Sequence, residues 1–66
     1  MAESVKRLLK RIDDLRLAAL QARAFAYRLE SAEARRSILL LAADWETQAD
    51  REEDQVRSFA FEAEAT

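Results

Sequence analysis

The sequence predicts an all-α protein, an antiparallel helical hairpin that assembles into a four-helix bundle or a larger helical complex. Three observations lead there. Val5, Leu8, Ile12, Leu15, Ala19, Ala22, Ala26 and Leu29 are spaced alternately by three and four residues, an a/d seam held for four heptads that neither a strand nor a loop would produce. The 66 residues include no Gly and no Pro, so the usual residues of tight turns, bulges and helix stops are missing. The heptad then breaks after Leu29 and resumes two residues out of phase, which places a turn near the middle of the chain.

The first helix is expected over about residues 2–29, with Ser4 as a candidate N-cap. Past Leu29 the same register would put Glu33 and Arg36 in the seam. The pattern restarts instead as Ile38, Ala42, Trp45, Ala49, Glu52, Val56, Phe59 and Ala63. The polar string Glu30-Ser31-Ala32-Glu33 therefore holds the turn, at about 30–32. Ser31 is placed to cap a second helix over about 33–64, and Glu33 lies in its first turn, where a negative charge complements the helix dipole. Two alternatives use the same residues. One is a single unbroken helix about 100 Å long at 1.5 Å per residue. The other is a break within 50–55, where no residue is apolar and Asp50 and Glu53 fit a capping box.

Charge is segregated between the halves. Residues 1–30 carry seven bases and four acids, whereas 31–66 carry four bases and nine acids. An antiparallel fold sets Lys6, Arg7, Lys10 and Arg11 opposite Asp50, Glu52, Glu53 and Asp54. Exposed pairs of this kind are each worth about 0–1 kcal/mol, so they select orientation more than they stabilise. The same fold brings Trp45 toward Ala19 and Ala22, a large side chain against small ones.

The seam accounts for one face of each helix, yet apolar residues continue outside it. Leu17, Leu20, Ala24 and Tyr27 form a second stripe with Phe25 beside it, and Ile38-Leu39-Leu40-Leu41-Ala42-Ala43 is apolar in every direction around the axis. A helix that is hydrophobic all round is buried. Leu17, Leu20, Phe25, Tyr27, Leu39 and Leu40 are therefore the candidate contact between protomers or with another protein, concentrated at the turn end. The expected partner is a second copy of the chain or another helical protein.

Chemistry-bearing residues are scarce. Without His or Cys the chain lacks the commonest general base, thiolate nucleophiles and the usual zinc ligands, and Ser4, Ser31, Ser37 and Ser58 have no imidazole to activate them. Asp13 and Asp14 are adjacent and point to different sides of a helix, so they do not form a catalytic pair. Glu46, Asp50 and Glu53 (or Asp54) align at helical spacing, but with basic partners at hand they read as a solvated face, not as a cation site. The expectation is a non-enzymatic protein with no catalytic residue, no cofactor and no metal. Without an apolar leader at its start, and with Ser37–Ala43 as its longest uncharged run, the chain is expected in the cytoplasm. Contact with a membrane surface is a lesser alternative.

Two resemblances add to this reading. The stretch Ala22 to Arg51, with Ser31-Ala32-Glu33, Arg35-Arg36, Ile38 to Leu41, Trp45-Glu46 and Ala49, resembles a pattern in small uncharacterised helical-hairpin proteins of alphaproteobacteria. That resemblance implies a hairpin and carries no activity. In architecture the chain is also similar to Rop, a small RNA-binding four-helix dimer, which makes nucleic-acid binding through Lys6, Arg7, Lys10 and Arg11 the third functional class. Net charge of −2 and the acidic stretch available to pair with that cluster weigh against it.

Overall fold

The computed structural model describes residues 2–65, and the side chains of residues 4–62. Two helices, α1 (Ala2–Ala26) and α2 (Ala32–Ala65), pack against each other as an antiparallel hairpin; no strand occurs among the described residues. Ser4 lies inside α1, so it does not cap the helix, and the expected seam position Ala63 falls outside the described side chains. α2 runs without interruption through 50–55.

The hairpin closes without any residue of positive φ among those described. α1 ends at Ala26, three residues before the end of its apolar seam. The chain leaves the helix by tightening: Arg28 N–H donates to Phe25 O at 3.0 Å and Leu29 N–H to Ala26 O at 3.1 Å, three residues back instead of four. The Arg35 guanidinium then donates to Leu29 O at 2.9 Å, satisfying a carbonyl that the departing helix leaves open. Ser31 caps α2, its Oγ accepting from Ala34 N–H at 3.2 Å while its carbonyl accepts from Arg35 N–H at 3.0 Å. Glu33 sits in the first turn of α2.

Packing follows the heptad. We letter it so that Val5, Ile12, Ala19, Ala26, Ala42, Ala49 and Val56 are a, and Leu8, Leu15, Ala22, Leu29, Ile38, Trp45, Glu52 and Phe59 are d. Among the described residues the fully buried ones are Ile12, Ala19, Ala26, Ala42 and Ala49, all from the a row. Small side chains there let the helix axes approach closely. The d row is larger and closes less completely: Leu8, Leu15, Ala22, Leu29, Ile38, Trp45 and Glu52 are half-buried, and Phe59 is exposed.

Phe59 departs from its expected place in the seam at the far end of the hairpin. The Arg11–Glu52 pair sets the register so that Phe59 lies level with the first turn of α1. Phe59 and Phe61, 57% and 73% exposed, lie where α1 gives out.

The molecule is a rod of 54 × 16 × 11 Å with a radius of gyration of 15.5 Å, against about 11 Å for a compact chain of this length. Its accessible surface is 5549 Å². A folded monomer of 7.6 kDa is expected to expose about 4,300 Å².

Candidate functional site

The two flanks of the seam differ, and the difference begins in the heptad. Positions e lie beside the a row and positions g beside the d row. The e positions are Leu9, Arg16 and Arg23 on α1 facing Leu39, Glu46, Glu53 and Ala60 on α2. Arg16 bridges Glu53 at 2.9 Å and Asp50 at 3.4 Å, and Arg23 pairs with Glu46. Glu53 also takes Arg57 of its own helix at 3.1 Å. The hydrogen bond to Glu53 raises the Arg16 pKa above the ordinary arginine value; desolvation opposes the shift, and attraction to Glu53 and Asp50 adds to it. Its charge is thus held throughout the working pH range.

A shallow groove of about 260 Å³ opens along this flank, lined by Arg16, Leu20, Arg23, Glu46 and Asp50. Its four charged groups are engaged with one another, and Glu46, Asp50 and Glu53 each have an arginine partner. No group of acidic residues suited to a metal ion occurs among the described residues.

The g flank is built differently. Ser4, Arg11, Ala18 and Phe25 on α1 face Ala34, Leu41, Gln48 and Gln55 on α2, with Arg11 the one charge between residues 4 and 55 in these two columns. Arg11 Nε meets Glu52 Oε1 at 2.9 Å, and the Glu52 side chain, in the d row, is only 12% exposed. Glu52 Oε2 is buried with no hydrogen-bond partner among the described residues. Phe25 and Leu41 are 53% and 41% exposed.

The expected pairing of the basic cluster with the acidic stretch is corrected by helical phase. Of Lys6, Arg7, Lys10 and Arg11, only Arg11 reaches the acids of α2, and the other three are exposed with no ion pair among the described residues. Lys6, Arg7 and Lys10 occupy b, c and f, which turn away from the neighbouring helix. Arg16 and Arg23, at e, take those roles.

The six candidate contact residues do not share one face. Leu17 and Leu40 are both at f, pointing away from the seam; Leu20 is at b, Phe25 at g and Leu39 at e. Tyr27 lies in the turn, past the end of α1. Leu17, Leu20, Phe25, Tyr27 and Leu40 are exposed and Leu39 is half-buried, so apolar side chains ring the turn-proximal half instead of forming one patch.

Arg35, Arg16 and Arg23 are the structurally active residues that a reading by local clusters misses. For the last two the e position of the heptad is the available signal. Among the described residues no helix is long and apolar enough to cross a membrane. No protein-family model matches the chain, and neither the curated proteins nor the solved structures include a significant match to it.

Proposed function

We propose that this chain is a non-enzymatic structural subunit that works by helical self-association. One observation carries the reading. The hairpin exposes about 1,200 Å² more than a compact monomer of its mass should, beyond the roughly 800 Å² that each partner contributes to a standard interface. Large apolar side chains stand on that surface. Leu20 and Leu40 are 64% and 63% exposed, while Ile12 is the one fully buried residue larger than Ala among those described. A single interhelical seam lined by Ala buries too little to hold a hairpin of this size, and association supplies the missing burial.

A second reading, a subunit docked against a different helical protein, draws on the ring of exposed residues, since Leu17 and Leu40 face opposite ways and a surrounding host would cover both. Sedimentation equilibrium of the purified chain separates the two. The self-association reading requires a mass of at least twice 7.6 kDa at micromolar concentration. A monomer across the whole range leaves only the host reading.

A further inference from the structure

Resting on the self-association reading, we infer that the chain pairs with a second copy through the d/g side of the hairpin, with the two turns at the same end. The side is chosen by how incompletely it is closed. Along the a/e side the seam is more nearly closed: Ile12, Ala19, Ala26, Ala42 and Ala49 are buried, with Val5 and Val56 half-buried at the far end, and Arg16 and Arg23 at e are tied to the acids of α2. On the d/g side Leu8, Leu15, Leu29, Ile38 and Trp45 are half-buried, and the g positions between residues 4 and 55 carry one charge, Arg11, paired with Glu52 of the d row. A core row of large apolar residues, left open and bordered by Ala18, Phe25, Ala34 and Leu41, matches one half of a four-helix bundle. The shortfall in burial is large enough for one standard interface.

Orientation follows from what lies along that side. Its turn half carries Phe25, Ala34 and Leu41, and its far half carries Ser4, Gln48 and Gln55. A two-fold axis running along the rod lays α1 of each copy on α2 of the other, keeps neighbouring helices antiparallel, and sets apolar half on apolar half. The same operation brings Arg11 of one copy over Glu52 of the other, since the two share a level in the hairpin. Arg11 is 59% exposed and makes no second ion pair among the described residues, so the open edge of its guanidinium lies toward the second copy at that level, while Glu52 Oε2 stays covered within its own hairpin. Turns at opposite ends would instead lay α1 on α1, put Phe25 and Leu41 against Ser4 and Gln55, and turn Arg11 toward its own copy.

The experiment uses a nitroxide on Glu30→Cys, an exposed turn position in a chain that has no other cysteine, and reads the distance between spins. Turns at one end give about 20 Å, from helices packed 8–10 Å apart plus the labels. Turns at opposite ends give about 38 Å, the length of α1 at 1.5 Å per residue. The longer distance would overturn the inference while leaving self-association intact; absence of any dipolar coupling together with monomer mass would overturn both. In parallel, Phe25→Glu with Leu41→Glu should weaken association at least 100-fold. Leu17→Glu with Leu40→Glu, on the back of each helix, should leave the parent mass. The reverse pattern assigns the interface to the wrong side.

Discussion

At the scale of single residues, the turn is held by side chains. A Gly in the left-handed region would end α1 in the usual way. Here the carbonyl of Leu29 is answered by Arg35, six residues on, and the first free amides of α2 by Ser31. Ser31→Ala is expected to cost about 1 kcal/mol and Arg35→Met about 1.5–3 kcal/mol, the latter because a charged donor is lost from a partly covered carbonyl. Urea denaturation at fixed protein concentration measures both, and an Arg35→Met chain with the parent midpoint would remove Arg35 from this role. Ser31 was legible in the sequence because caps have a residue preference and the seam had already broken beside it. Arg35 was not, since an arginine that reaches back across a turn leaves no periodic trace.

At the scale of the helix pair, the heptad made the hairpin legible and named the row that Ile12, Ala19, Ala26, Ala42 and Ala49 bury. The ion pairs were misjudged where charges were counted along the chain without regard to phase, for Lys6, Arg7 and Lys10 sit near the acids in level and on the wrong side of the helix. Two substitutions probe the pairing. Ala42→Leu should destabilise by about 1–3 kcal/mol through overpacking a closed a row. Arg11→Met alone should destabilise, by about 1 kcal/mol given the exposure of the arginine, because it strands the covered Glu52 carboxylate; adding Glu52→Leu should recover the parent stability or exceed it. If the double variant is less stable than Arg11→Met, the Glu52 carboxylate makes contacts beyond the Arg11 pair.

At the scale of the whole molecule, the candidate contact residues were legible as an excess of apolar side chains and not as a surface. Leu17, Leu20, Phe25, Tyr27, Leu39 and Leu40 were grouped by nearness to the turn, whereas three dimensions spread them around it. The feature that distinguishes one side of the rod is the contrast between a buried a row and a half-open d row. That contrast accompanies an a row in which Ala predominates and a d row of mostly larger residues, and its meaning depends on how far the pair closes, which periodicity alone does not fix.

The central claim is that folding and association are coupled, and the most direct measurement is the thermal midpoint of the helical signal across a 100-fold range of protein concentration. A chain that completes its core only with a second copy unfolds and dissociates together, so mass action raises its midpoint with concentration. With an unfolding enthalpy of about 0.7 kcal/mol per residue, the expected rise over that range is about 10 °C. A midpoint that stays constant from the lowest to the highest concentration, with a sedimenting mass of 7.6 kDa throughout, would contradict the account.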